Sequence, residues 1–345
     1  KPISVMLKRM QSVLFDWQSY GRSTIGARSD IENVEIENLQ AFYRRYYQPD
    51  NAVLTVSGKF DAEKVLGWIA EDFGAIPKPE RVLPKEWSVE PTADGEREFY
   101  IRRKGETQLV AVGYRVPSAL SDDYEPVAMA AEILATAPTG RLYKSLVETG
   151  MATQVFGWPI AAQKPGFVMF GAMVKKGDDI QAVKTKLVEE IENAFAQKPV
   201  GDDELARQKA EQATMFERLL SDPEQFAVNL SDYIGLGDWR LFFADRDTVK
   251  AVTKDQIEAA AARYFVRDNR VVGLYVPTED VKRAEIAPAP DAEELLKRFT
   301  FSEEGAQAEA FDVSQANIDA RTTLAEMGKV KLALLPKKTL GETVV

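Results

Sequence analysis

Apolar positions recur with helical spacing in some stretches of this chain and with strand spacing in others, and these stretches predict its elements. The first 76 residues predict two helices, a strand and a third helix, over about 3–17, 35–47, 52–57 and 62–73. Met6, Met10 and Trp17 belong to the apolar stripe of the first helix. Closely spaced prolines then predict an extended linker over 77–95.

Residues 96–277 predict a larger unit in which strands and helices are interspersed with a hairpin. Strand patterns include Phe99 and Ile101 and the ranges 109–116, 153–161, 167–174 and 270–275. Helical patterns cover 127–137, 141–149, 180–195 and 203–220. Thr253 and Gln256 form a capping box before a further helix. This mixture favours an α+β fold over a doubly wound parallel sheet.

One supersecondary unit occurs twice in the chain. The stretch 45–54 returns 218 residues later as 263–272, with Asp50-Asn51 matched by Asp268-Asn269. Upstream, at the same offset, Ile31, Val34 and Leu39 correspond to Val249, Val252 and Ile257. Each copy predicts a helix, an Asp-Asn turn and a β-branched strand. Two copies so far apart predict two similar lobes instead of a short-period repeat.

Composition excludes several classes of site. The 345 residues contain no histidine and no cysteine, which removes the usual zinc ligands, the usual neutral-pH base and every disulfide. The formal charge of −10 argues against nucleic acid as a partner, and no apolar run is long enough to span a membrane. The acidic clusters at 122–123 and 202–204 lack the spacing of a calcium loop. We therefore expect no catalytic residue and no metal ligand in this chain.

Both ends suggest an excerpt from a longer polypeptide. Lys1 opens directly into a helical pattern, and residues 330–336 predict a strand that turns at 337–339 into a second strand beginning at 342. Between the lobe at 96–277 and this final hairpin, residues 278–327 are rich in alanine, proline and acidic side chains and predict a second linker.

A family resemblance rests on the stretches 20–26, 30–34, 46–54 and 58–61, which read YGRSTIG, DIENV, YYQPDNAVL and GKFD. Together they resemble the pitrilysin/insulinase family of zinc metallopeptidases, the inverzincins with an H-x-x-E-H zinc motif. The resemblance implies duplicated lobes of the mitochondrial-processing-peptidase type, with mixed, mainly antiparallel sheets and helices packed on them. Residues 1–76 would be the C-terminal part of the first, metal-bearing lobe, 96–277 the companion lobe, and 328–345 the first hairpin of a third.

This chain departs from the family pattern at the residues that matter for catalysis. It has no H-x-x-E-H motif, so the zinc of the parent protein would be held upstream and none would be bound here. The family also holds substrate with an arginine and a tyrosine from a companion lobe. Gly140-Arg141-Leu142-Tyr143 resembles the start of that signature, but Thr153 occupies the tyrosine position. Arg141 is therefore the one candidate substrate-binding residue, with a purely structural role as the alternative.

The leading hypothesis is that this chain is the inactive central portion of a zinc endopeptidase that hydrolyses peptides or small proteins in an enclosed chamber. A catalytically dead structural or assembly relative is the alternative, and an unrelated carboxylate hydrolase ranks last. Expected partners are peptide substrates and the remaining lobes of the parent, with self-association through the incomplete first lobe. The compartment is left undetermined, with a periplasmic or otherwise exported bacterial parent as our expectation.

Overall fold

A computed structural model describes residues 1–300 and 309–338, which belong to two compact units, Lys1–Val281 and Lys282–Val345. In the first unit the helices are α1 (Pro2–Leu14), α2 (Arg28–Asn33), α3 (Ile36–Tyr46), α4 (Ala62–Phe73), α5 (Tyr124–Ala135), α6 (Ile180–Glu192), α7 (Ala194–Gln197), α8 (Asp202–Ser221), α9 (Pro223–Leu236), α10 (Leu241–Ala251) and α11 (Lys254–Tyr264). Its strands are β1 (Arg97–Arg103), β2 (Gln108–Val116), β3 (Gln154–Ile160), β4 (Gly166–Val174) and β5 (Arg270–Pro277).

The five strands form one sheet in the order β1-β5-β2-β4-β3. β1 and β5 run parallel, and the other three neighbouring pairs are antiparallel. The predicted hairpin is β3–β4, in which Gln154 pairs with Met173 and Ile160 with Phe167. The α+β prediction, with a mixed and mainly antiparallel sheet, is therefore confirmed.

The sheet is covered on both faces. On one face α5, α6 and α11 bury the main core, which includes Val110, Leu134, Phe170, Leu187 and Ile257. On the other face α1 buries Met6, Met10 and Leu14. Two strand glycines make this second contact possible, because a β-carbon at Gly113 would lie 2.7 Å from the sulfur of Met10, and one at Gly273 2.6 Å from that of Met6.

Helix α1 differs from its sequence prediction in length. It ends at Leu14 because Phe15 adopts extended dihedrals, φ −119° and ψ 124°, and the carboxylate of Glu90 accepts hydrogen bonds from the backbone amides of Asp16 and Trp17. Trp17 is 69% exposed, so its prediction as part of the apolar stripe is wrong. Helix α1 packs on the sheet formed by residues 96–277, although the sequence assigned it, with the rest of residues 1–76, to the first lobe. The boundaries between the segments 1–76, 77–95 and 96–277 stay a prediction.

The predicted internal repeat is confirmed at the level of hydrogen bonds. The side-chain amide of Asn51 donates to the carbonyl of Tyr46 over 2.9 Å, and that of Asn269 donates to the carbonyl of Tyr264 over 2.8 Å. Both tyrosines are half-buried, and both asparagines end a short 3₁₀ turn that follows a helix. The Asp-Asn sequence thus encodes the same local structure twice.

The two copies diverge where the strand should follow. Residues 270–277 form β5, which pairs with β1 and β2. Ala52 is extended, with φ −128° and ψ 143°, but within the described part of the chain residues 52–57 belong to no sheet. The predicted strand at 52–57 is therefore wrong as a strand, because an extended segment becomes one only when a neighbour supplies hydrogen bonds.

The second unit contains α12 (Ala292–Leu296), α13 (Gln315–Arg321), and the hairpin of β6 (Thr323–Met327) and β7 (Val330–Leu334). β7 agrees with the strand predicted at 330–336. Its partner is the preceding segment, across a turn where Gly328 has φ +65°, and the partner predicted at 342–345 lies outside the described residues. Among the described helices, none is both long and apolar enough to cross a membrane.

Candidate functional site

Arg141 lies at the end of the connection between α5 and a π-helical turn at Tyr143–Val147. Its side chain is 9% exposed, and its guanidinium rests 4.7 Å from the ring centroid of Phe195. A cation over an aromatic face gains electrostatic stabilisation in addition to packing. The arginine is thus held in a nearly closed site.

The guanidinium of Arg141 donates five hydrogen bonds to the surrounding chain. Nε and Nη2 donate to the two carboxylate oxygens of Glu204 over 3.0 and 2.7 Å. Nη1 donates to the carbonyls of Ala194 and Lys198 over 2.8 and 2.6 Å, and Nη2 donates to that of Pro199 over 3.1 Å. Since a guanidinium has five N–H groups, a substrate carbonyl could bind here only by displacing one of these acceptors.

Glu204 is fixed from both sides. Burial acts to raise its pKa, but the hydrogen bonds from Arg141 and from the amide of Gly201, 3.0 Å away, outweigh burial and hold the pKa below its usual value. The carboxylate therefore stays ionised and caps α8 while it binds Arg141. In the sequence, Glu204 is only one member of the acidic cluster at 202–204. No pattern of neighbouring residues indicates that it would bind an arginine 63 residues away.

The other candidate peptide-facing surface is the β3–β4 hairpin. β3 is an edge strand of the sheet, and Trp158 and Ile160 on it are each 37% exposed. Thr153, in the position of the family's tyrosine, donates its hydroxyl to the carbonyl of Met173 over 3.2 Å, at the base of the same hairpin. Among the described contacts, Arg141 and Thr153 do not touch each other and have no contact partner in common.

Over residues 1–300 and 309–338, no group of three or more Asp or Glu side chains could hold a metal ion. The chain also has no histidine or cysteine, so its residues do not fit a zinc centre. We expect the chain to retain well under one equivalent of zinc after incubation with a zinc salt and dialysis, as measured by atomic emission. A stoichiometric zinc that survives dialysis would contradict this expectation.

A third feature is an exposed apolar surface on the first copy of the repeat. We call this surface the α3 face; its members are Leu39, Phe42, Tyr43, Tyr47, Val53, Leu54 and Val56, which are 43–67% exposed. Their counterparts 218 residues later are Ile257, Ala260, Ala261, Phe265, Val271, Val272 and Leu274, which are 0–5% exposed. The same positions are thus exposed in the first copy and buried in the second, where Val271 lies in the core beneath α1 and the others lie in the main core.

The second copy shows what burial of these positions requires. α11 packs on α5, and β5 is flanked by β1 and β2. No comparable helix or strands cover the α3 face within the described residues. Large exposed apolar surfaces commonly mark interaction sites in proteins.

Comparison with known proteins was made against families, curated sequences and solved structures. A sequence profile of the family described as "Peptidase M16 inactive domain" matches residues 33–212. Zinc protease PqqE of Helicobacter pylori is 25% identical over 253 residues, which cover 71% of this chain and 57% of that protein. The uncharacterized zinc protease YmfH of Bacillus subtilis is 25% identical over 261 residues, which cover 73% and 59%. The chain thus spans less than two thirds of the length of these relatives.

Two solved structures share the fold. A protease from Helicobacter pylori superposes with a TM-score of 0.76 at 22% identity, over 80% of this chain and 67% of that one. A peptidase M16 inactive domain from Pseudomonas fluorescens superposes with a TM-score of 0.69 at 18% identity, over 83% of this chain and 68% of that one. At these identities the superpositions establish the architecture of the lobes and no residue role.

Proposed function

Because this chain belongs to the peptidase M16 family, the pitrilysin/insulinase-type zinc metallopeptidases, with an inactive domain of that family over residues 33–212, we propose that it is the non-catalytic central portion of a zinc endopeptidase. The family match carries the proposal, and relatives named zinc proteases support it. Zinc would be held by residues outside this chain, since the chain offers no ligand set for it. The substrates would be peptides or small proteins.

Within that enzyme, residues 96–277 would serve as the companion lobe that walls the substrate chamber. The support is their fold, in which helices of the same segment bury one face of the five-stranded sheet, while α1 covers the other face. The β3–β4 hairpin would be the surface that meets a peptide, because its edge strand leaves backbone groups free to pair with an extended chain.

The α3 face would complete the metal-bearing lobe. Its occupant in this proposal is a sheet and helix from the remainder of the parent polypeptide, arranged as β1, β2 and α5 are around β5 and α11. The repeat supports this occupant, because each apolar residue of the face matches a buried residue of the second copy. In the isolated chain, the uncovered face would promote self-association.

The test is to express the longer polypeptide that contains this chain and to assay cleavage of unstructured peptides with and without a chelator. Chelator-sensitive cleavage, lost when the glutamate of an upstream H-x-x-E-H motif is replaced by glutamine, would support the peptidase. The matched control is the 345-residue chain alone, which should not cleave the same peptides. Absence of the motif upstream would overturn the catalytic role.

A structural or assembly member of the family is the second candidate. One solved structure with this fold, at a TM-score of 0.69 and 17% identity, is described as "Complex III2 from Candida albicans, Inz-5 bound". This likeness concerns the fold alone. A longer polypeptide without a zinc motif that co-purifies in a stoichiometric complex would favour this alternative.

A further inference from the structure

Helices α8, α9 and α10 form a second layer outside the core helices, in which α8 and α10 contact α5. Two cavities of about 290 and 430 Å³ lie in this layer. Both are lined by Tyr124 and Glu125 of α5, Tyr233 of α9 and Asp245 of α10. These four residues therefore lie at the contact between α5 and the outer helices and border both cavities.

A short chain of polar contacts crosses this contact between the two cavities. Glu125 of α5 and Asp245 of α10 line the same two cavities, and the hydroxyl of Tyr233 of α9 donates to Asp245 over 2.5 Å. Two carboxyl groups can share a hydrogen bond only when one of them carries a proton, because an ionised carboxylate has no donor. A proton shared by Glu125 and Asp245 would therefore join α5 to α10, and the tyrosine attaches α9 to the same group.

The charged neighbours of this pair are engaged elsewhere. On α5, Glu132 accepts from Gln212 of α8 over 2.9 and 3.0 Å. On α8, Lys209 donates to the carbonyl of Lys250 over 2.7 Å, and on α10, Arg246 pairs with Asp247 over 2.8 Å. The remaining titratable groups that line the cavities are Asp122, Asp232 and Lys250. Within the described residues no cation forms an ion pair with Glu125 or Asp245.

Partial burial without a cation favours the protonated pair, since Glu125 and Asp245 are both half-buried. Burial and the neighbouring charge of Asp245 raise the pKa of Glu125 from 4.5 to about 8, and burial also raises the pKa of Asp245. Burial keeps Tyr233 a phenol by raising its pKa, so it remains a donor. Ionisation of both carboxyl groups would place two like charges in contact, which costs free energy that separation of the helices relieves.

We propose that Glu125 and Asp245 form a proton-operated latch that holds α9 and α10 on α5, and that loss of the shared proton releases these two helices. The latch is fully closed below the ordinary pKa of a glutamate, about 4.5. Because the closed-state pKa of Glu125 is raised, closure weakens as pH rises from there to about 8. Release would join the two cavities and change the surface that the outer helices present.

Hydrogen–deuterium exchange on the 345-residue chain tests the latch, with rates corrected for the intrinsic effect of pH. From pH 5.5 to 7.5, opening of residues 223–251 should increase by up to about a hundredfold, tenfold for each pH unit. Amides of α6, which lies outside this contact, should change far less. Equal changes in both segments would overturn the latch.

Glu125→Gln separates the latch from general pH effects, because glutamine can donate to Asp245 without titrating. The pH dependence of exchange in 223–251 should fall to less than about threefold in this variant. Asp245→Asn removes the neighbouring charge that helps raise the pKa of Glu125, so it should reduce the pH dependence, and it serves as the second variant if the first fails to fold. Glu224→Gln, which removes the same charge from the exposed start of α9, should behave as the unmodified chain. A hundredfold increase that persists in both latch variants would overturn the proposal.

Discussion

Replacing Phe265 with alanine is expected to lower the free energy of unfolding by about 3–5 kcal/mol, whereas Tyr47→Ala at the matching position of the first copy should cost less than about 1 kcal/mol. Phe265 is 2% exposed and packs between Tyr114 and Phe170, with ring centroids 5.3 and 5.4 Å away. Tyr47 is 64% exposed and stacks only on Tyr43 among the described aromatic pairs. Chemical denaturation followed by circular dichroism measures both changes.

The same pair of substitutions tests whether the α3 face is an unfinished core. In the longer polypeptide, where the proposed sheet would cover the face, the cost of Tyr47→Ala should approach that of Phe265→Ala. Thermal melting of the two variants in both lengths of chain makes the comparison. Equal and large costs in the 345-residue chain would mean that Tyr47 is already buried, contrary to the structure. A negligible cost in the longer chain would remove the proposed occupant.

Replacing Arg141 with alanine is expected to cost about 3–5 kcal/mol, because it leaves the carboxylate of Glu204 buried without its cation and the carbonyls of Lys198 and Pro199 without a donor, whereas the carbonyl of Ala194 keeps the amide of Lys198. Arg141→Lys should recover little of this loss, since an ammonium group provides no planar fork for Glu204 and the carbonyls together. The measurement is again the free energy of unfolding. Arg218→Ala, at an exposed arginine of α8 that has no described ion pair, is the control and should change it by less than about 0.5 kcal/mol.

The substrate-binding role of Arg141 stays a prediction that kinetics can separate from this structural one. In the longer polypeptide, a lower kcat/KM for Arg141→Ala with an unchanged melting temperature would support contact with substrate. Activity that declines only together with the melting temperature would assign the residue to the fold. The five internal hydrogen bonds lead us to expect the second result.

Much of the fold could be predicted from local sequence patterns. The spacing of apolar residues predicted the strand at 109–116 and the helix at 203–220 within about two residues of β2 and α8. The capping box at Thr253 and Gln256 is present, with the hydroxyl of Thr253 accepting from the amide of Gln256 over 3.3 Å. The duplicated Asp-Asn turn also has the same hydrogen bond in both copies. These features depend on residues fewer than about ten positions apart, so the sequence alone determines them.

Tertiary structure decided whatever depends on a distant partner. Among the residues that the structure describes, 52–57 have the strand pattern but pair with no neighbouring strand, whereas 270–277 pair with two. The apolar stripe of α1 predicted burial but not the sheet that receives it, and no local pattern indicated that Glu204 would bind Arg141 or that Asp245 would lie beside Glu125. A hydrophobic pattern specifies that a face will be covered, because burial is non-directional. The element that covers such a face is specified only where the folded chain brings distant residues together. The same holds for the side chain that shares a proton with a carboxyl group.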